Sequence, residues 1–195
     1  MLDYLKTFDA LSALWLKELT LKLTILLCLT TGQRGQTIHK FDINYIQDLG
    51  VRYRISVHEK LKQTKPGRHL EPIELLAFPE DKELCVGQHL REYIHRTDPQ
   101  LLLLSYVKPF KPVARDTVSR WVKQGLQSAG IDITKYSAHS CRAASTSKVK
   151  VKGLNIAEIM KSAGWSTAST FARFYKPVSN TSANFGSVLL NPSAK

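Results

Sequence analysis

The sequence predicts an α+β domain that is mainly helical and carries a small three-stranded antiparallel sheet. Three observations predict it. Within the most apolar stretch, Leu14 to Thr31, residues 16, 19, 23, 26 and 27 are leucine or isoleucine at three- and four-residue steps, the spacing of one helical face. Phe41 to Ile46 and Arg52 to Val57 instead alternate polar and apolar residues of β-favouring type, and a turn signal and a returning run, Leu70 to Leu75, follow them. From Leu84 onward helical patterns resume, separated by glycine and proline. With 195 residues, 43% of them apolar, the chain is long enough for one domain with a substantial core.

The first long helix is interrupted by Lys17, Glu18 and Lys22, and its uninterrupted remainder is too short to span a bilayer. It reads as a buried helix. Thr31-Gly32 should end it, because glycine accepts the positive φ of a C-terminal stop. Arg34 then stands just past that end, where it either complements the helix dipole or serves a site. Asp3 and Asp9 occupy the region where a signal peptide would need a basic start, so none is expected.

Gln63-Thr64-Lys65-Pro66-Gly67 is the turn between the second and third strands, and it carries Lys62, Lys65 and Arg68 in or beside it. Leu84 to Arg96 is the next helix, with Leu90 and Ile94 on one face. Leu101 to Leu104 is a short buried run before a loop holding Pro109 and Pro112. Asp116 or Thr117 should cap a helix that runs through Trp121 and Leu126 to Ala129-Gly130. Tyr136-Ser137-Ala138 leads into a basic helix starting at His139. Residues 1–178 form the domain, and 179–195 a tail in which Phe185, Val188, Leu189 and Leu190 follow a polar linker. Such a tail docks either on its own domain or on a neighbour's.

Lysine and arginine number 28 against 16 acids, a net charge of +12. That favours a polyanionic partner, nucleic acid before an anionic membrane surface. Cys28, Cys85 and Cys141 suit neither a disulfide framework nor a CxxC metal site, which suggests a reducing compartment. His39, His58, His69, His89 and His95 show no metal-ligand spacing. Residues 138 to 177 concentrate His139, Arg142, Lys148, Lys150, Lys152, Trp165 and Tyr175 around a single acid, Glu158, a composition suited to phosphate. Cys141, between His139 and Arg142, should face the core as a small hydrophobe. The three lysines read as a solvated face that also touches DNA backbone.

Four patterns therefore stand in order: Thr31-Gly32-x-Arg34, the Gln63 to Gly67 turn, His139-x-x-Arg142, and Gly164-Trp165 followed by Tyr175. This order resembles the catalytic domain of tyrosine recombinases, the phage-integrase-like family, over nearly the whole chain. The wording TTGQRGQTI, SAHSCR and AGWSTASTFARFY is similar to recombinases of DIRS-like and Crypton-like eukaryotic mobile elements. The resemblance implies double-stranded DNA as partner, a homotetramer on DNA, a nuclear location and chemistry without metal, cofactor or ATP.

It also implies roles for residues. Arg34 and Arg142 would stabilise the charge of a pentacoordinate phosphorane by paired hydrogen bonds. His139, one turn before Arg142, would bond the same phosphate or exchange a proton with the nucleophile. Trp165 would donate its indole N–H to a nonbridging oxygen. Tyr175 would attack phosphorus and form a 3′-phosphotyrosyl link, and Lys65, or failing it Lys62, would protonate the departing 5′-oxygen. Lys62, Arg68, Lys148, Lys150 and Arg173 would contact DNA, and the tail would dock in trans.

Three departures accompany the likeness. Thr37 occupies a position where the family often has a carboxylate. The ten-residue step from Trp165 to Tyr175 is one longer than the family's commoner step. The family's amino-terminal DNA-clamping domain has no counterpart here, which implies weaker and less sequence-specific binding. Two alternatives stay open: a DNA-binding module that has lost strand cleavage, and a type IB topoisomerase-like enzyme acting as a monomer.

Overall fold

One helix, α2 (Leu16–Thr31), runs through the centre of the protein. The computed structural model describes residues 1–59, 71–97, 102–165 and Leu189. From Leu19 to Thr31 only Leu21 keeps partial exposure, so α2 is buried all round, beyond the single face its leucine spacing implied. Such burial needs its polar side chains satisfied locally. The hydroxyls of Thr20, Thr24, Thr30 and Thr31 do this by donating to the carbonyls four residues back, at 2.6–2.7 Å. As expected, Gly32 ends the helix in the left-handed region, at φ 61°. Around α2 pack α4 (Val86–Thr97), α5 (Arg115–Ser128), α6 (Ala138–Val151) and the third strand of the sheet. Gly125 of α5 lets that helix approach closely: a Cβ there would lie 2.2 Å from Ile25 Cδ1 of α2.

The sheet has three antiparallel strands in the order β1 (Ile46–Asp48), β2 (Arg52–Ile55), β3 (Ile73–Leu76). Tyr53, Ile55, Ile73 and Leu75 face the core. On the other face Arg52 and Arg54 both pair with Glu74, at 3.2 and 3.0 Å. Two boundaries differ from the sequence expectation. The strand expected over Phe41 to Ile46 is mostly a 3₁₀ turn, Ile43–Tyr45, and β1 begins where that strand was to end. Asp42 causes this: its carboxylate accepts from the Asn44 backbone N–H at 2.9 Å, an Asx interaction that competes with strand pairing. The returning strand lies nearer the C-terminus than Leu70 to Leu75, because its register is set by the pairs Arg52↔Leu76 and Ile55↔Ile73. The Gln63 to Gly67 turn lies outside the described residues.

The helix expected from Leu84 is α4, and Leu102, Leu103 and Leu104 are buried as expected. Helix α5 begins earlier than Asp116 or Thr117 would allow as caps: Ala114 is the N-cap, without a side-chain bond. The reason is tertiary. Val113 N–H donates to the Leu103 carbonyl at 3.2 Å, which delivers the chain to the helix start two residues early. Asp116 instead sits in the first turn, where its charge suits the helix dipole. Lys150 also departs from expectation. It is 4% exposed, because helical phase places it with Arg142, Thr146 and Val149 on the buried stripe of α6. Lys148 is exposed as expected, and Cys141 faces the core.

His89 of α4 is fully buried, and its Nδ1 donates to the Cys85 carbonyl at 2.9 Å. Burial first, then the nearby Lys22 charge, pushes its pKa down to about 4, against 6.5 ordinarily. The folded state therefore holds His89 neutral while the unfolded chain takes up a proton below 6.5, so stability falls as pH drops from 6.5 towards 4. Ten-fold in proton affinity corresponds to ~1.4 kcal/mol, so the full loss from this group is about 3 kcal/mol. Urea unfolding at pH 7 and pH 4 should show that difference shrink in His89→Gln; an unchanged pH dependence would reject the assignment.

Candidate active site

The site begins at the end of α2. After Gly32 the chain runs through Gln33 to Arg34, which is extended at φ −75°, ψ 148° and caps α3 (Gly35–Ile38). The Arg34 carbonyl accepts from the Thr37 and Ile38 N–H groups at 2.8 and 3.1 Å. Helix α3 is held on the start of α5. Gly35 sits against Val118 and Ser119, and His39 Nε2–H donates to the Val113 carbonyl at 2.8 Å. Arg34 thus leaves a fixed junction between two helices with its side chain half-exposed. Thr37, at the position of the family's carboxylate, is 2% exposed. It packs inward as part of α3.

The second part comes from α6 and α7 (Ile156–Ala163). Ser137 caps α6, with the Ser140 hydroxyl accepting from the Ser137 N–H at 3.0 Å. This fixes His139 in the first turn and Arg142 one turn on. Arg142 is 3% exposed. Its Nη1 donates to two carbonyls, Gly32 at 3.0 Å and Ala163 at 2.5 Å, and its guanidinium carbon lies 4.6 Å from the centre of the Trp165 ring.

Those carbonyls end α2 and α7, where each helix has acceptors without an intrahelical donor and the negative pole of its dipole. Two helix C-termini therefore converge on one guanidinium. This offsets the cost of burying its charge, and the indole face adds a cation–π contact. Trp165, expected as a hydrogen-bond donor to the phosphate, is placed against the Arg142 guanidinium. It packs on the core and stacks on Arg142.

The same junction contains two further bonds. Gln33 Nε2 donates to the Ser162 carbonyl at 2.5 Å, and Ser162 Oγ donates to the Thr31 carbonyl at 3.2 Å. No motif singles out Gln33 or Ser162. The one signal available was position: Gln33 is a polar residue between a helix stop and the first arginine.

Electrostatics show which groups share the site. His139 is exposed, yet its pKa is lowered by partial desolvation, then by the Arg142 charge, then by the Arg34 charge. Arg34, 105 positions upstream of His139, follows two residues after Gly32, whose carbonyl Arg142 holds at 3.0 Å, so the chain delivers it to the same junction. His139 is accordingly neutral at pH 7, with a lone pair able to accept a proton. The arrangement offers a neutral base flanked by two permanent cations.

Residues 4–181 match the family model "Phage integrase family". The chain belongs to the phage integrase family, the tyrosine recombinases. Solved structures agree on the fold. This integrase-family chain superposes on XerH site-specific recombinase bound to difH substrate with a TM-score of 0.68 and 15% identity, over 89% of this chain and 46% of that one. A lambda integrase tetramer bound to a Holliday junction gives 0.55 and 16%, over 85% and 45%. XerA recombinase gives 0.55 and 17%, over 80% and 57%. The chain thus spans about half the length of these proteins. No curated protein sequence matches it.

Of the sequence-predicted residues of this family member, Arg34, His139, Arg142 and Trp165 come together as described. Lys62, Lys65, Arg68, Arg173 and Tyr175 lie outside the described residues. Lys148 is exposed, and with Met1, Leu29, Leu84 and Ser145 it lines a cavity of about 350 Å³ against which the tail residue Leu189 is buried. Among the described residues no three His, Cys, Asp or Glu side chains gather as a metal site, and no helix is long and apolar enough to cross a membrane.

Proposed function

We propose that this chain cleaves and rejoins DNA strands in site-specific recombination through a covalent tyrosyl intermediate. The observation that carries the reading is that Arg142, one turn after His139 on α6, holds the Gly32 carbonyl two residues before Arg34, joining two distant parts of the sequence at one site. In this reading Tyr175 Oη attacks phosphorus, the Oη–P bond forms and the bond from phosphorus to the 5′-oxygen breaks. The phenolic proton passes to His139, and Lys65 gives a proton to the departing oxygen. The two guanidinium groups hold the extra negative charge of the phosphorane. A free 5′-hydroxyl attacking the phosphotyrosine reverses every step, so the bond energy is retained and no nucleotide cofactor is required.

The wording TTGQRGQTI, SAHSCR and AGWSTASTFARFY supports a place among DIRS-like and Crypton-like mobile-element recombinases, hence integration of element DNA in a nucleus. The net charge of +12 supports duplex DNA as partner, with Lys62, Arg68, Lys148 and Arg173 as phosphate contacts. Assembly as a tetramer is supported by the lambda integrase tetramer of like fold. The tail past residue 178 is then the contact between protomers, with Leu189, buried against its own domain's cavity beside α6, moving to the same cavity of a neighbour. Truncation after Asn180 should weaken assembly on DNA, read by native gel, while the fold is preserved, read by circular dichroism, with a lower melting temperature from loss of the buried Leu189; assembly of undiminished strength would remove the tail from this role.

The deciding experiment uses a nicked duplex carrying the element's terminal repeat, on which cleavage releases a short strand and traps the adduct. A covalent complex whose linked peptide contains Tyr175 supports cleavage. Binding without adduct favours the second reading, a DNA-binding module that keeps the fold. That reading draws on Thr37 in place of a carboxylate and on the near-complete burial of Arg142. Plasmid relaxation by a monomer, without recombinants, would point to topoisomerase-like action.

A further inference from the structure

We infer that Gln33 is a positioning residue: its amide locks the turn that carries Arg34 onto the end of α7, and so sets the distance between Arg34 and the Arg142–His139 pair. The role matters for catalysis only if the recombination reading holds, but the geometry stands without it.

Gln33 is 2% exposed. Its backbone N–H donates to Thr31 Oγ1 at 3.1 Å and its Nε2 to the Ser162 carbonyl at 2.5 Å. Its Oε1 is buried and makes no hydrogen bond among the described residues. A buried amide with one end unsatisfied is a poor way to fill a core, where a hydrocarbon of similar length carries no such penalty. What the amide supplies that a hydrocarbon lacks is direction. One directed bond ties the residue before Arg34 to the residue before Ala163, and Ala163 is itself held by Arg142.

The two arginines are thereby referred to a single rigid point. Arg142 clasps Gly32 and Ala163, and Gln33 clasps Ser162, so the α2 and α7 ends are joined by alternating bonds from each side. Without the Gln33 bond, Arg34 stays tethered through Gly32 but its turn loses the bond that fixes it on the end of α7. A shift of about 1 Å at such a group is enough to degrade positioning catalysis.

His139 can report the position of Arg34, since Arg142, one turn away on α6, holds the Gly32 carbonyl two residues before Arg34, and the Arg34 charge lowers the His139 pKa. The test follows the His139 titration by NMR in the full chain, without DNA, in wild type, Gln33→Met, Arg34→Gln and the double variant. Arg34→Gln should raise the His139 midpoint towards the ordinary histidine value. Gln33→Met should reproduce at least half of that rise, add little in the double variant, and move the melting temperature by less than about 4 °C. A midpoint unchanged in Gln33→Met, or insensitive to Arg34→Gln, overturns the proposal. If Gln33→Met fails to fold, Gln33→Leu removes the same amide bond to the Ser162 carbonyl with a different hydrocarbon shape and decides in its place, with the same expected direction and the same overturning result. Because the readout needs no cleavage, absence of a DNA adduct would count against the recombination reading and leave this result untouched.

Discussion

Tyr175→Phe is expected to abolish the covalent protein–DNA adduct, a loss of at least ~10³-fold in cleavage, while folding and duplex binding stay at the wild-type level. The substitution removes one oxygen, the only atom of that side chain able to attack phosphorus, and keeps the ring. Phenylalanine keeps the ring at a position that Phe171 and Phe174 closely precede in sequence, so the effect isolates chemistry from packing. Gel-shift titration beside the trapping assay separates the two. Adduct formation by Tyr175→Phe at an undiminished rate would mean that another nucleophile acts and would end the assignment.

Arg142→Ala is expected to damage stability and cleavage together. Removing the guanidinium leaves the buried Gly32 and Ala163 carbonyls without the Nη1 donor and uncovers the face of Trp165. Each orphaned buried acceptor costs roughly 1–3 kcal/mol, and relief from burying a charge offsets part of the total. We therefore expect a loss of about 3 kcal/mol, seen as a drop of roughly 6–12 °C in melting temperature for a chain of this size. His139 should titrate higher in the same variant, since the larger of its two cationic neighbours' effects is gone. Arg142→Lys should recover only part of the stability, because an ammonium has no planar fork and stacks poorly on indole. A melting temperature within ~2 °C of wild type in Arg142→Ala would show that the two helix ends do not depend on it.

The two substitutions probe residues of unlike standing. Arg142 is a structural hub as well as a candidate catalytic cation, so its loss of activity is interpretable only beside its loss of stability. Tyr175→Phe deletes a single oxygen and keeps the ring, which avoids that ambiguity. The acid sensitivity set by His89 is independent of both, since that ring is buried in α4. Assays of the site are therefore best made above pH 6.5, where His89 is neutral in both folded and unfolded chains.

Much of the fold was legible from periodicity because it is local. The leucine spacing of α2, its stop at Gly32, the change to alternation at the sheet and the return to helix are each set by neighbours a few residues apart. The failures have non-local causes or small-range competition. The start of α5 moved because Val113 pairs with Leu103. The first strand moved because the Asp42 side chain captures Asn44 N–H. Lys150 was read as solvated by its residue type, whereas its phase on α6 puts it on the buried stripe. That phase was present in the sequence; which face of α6 would be covered was not.

The residue types of the candidate site and their order along the chain were readable without coordinates, since a histidine and an arginine one turn apart need only a helix to align them. Their mutual placement was not. Arg34 and His139 are separated by 105 positions, and bringing them within each other's field takes the packing of α2 against α6 and α7. The burial of Arg142 beneath two helix C-termini, and the amide of Gln33 that joins those ends, have no counterpart in any local pattern. They arise where separate helices stop, and a helix end acquires its partners only when other helices meet it.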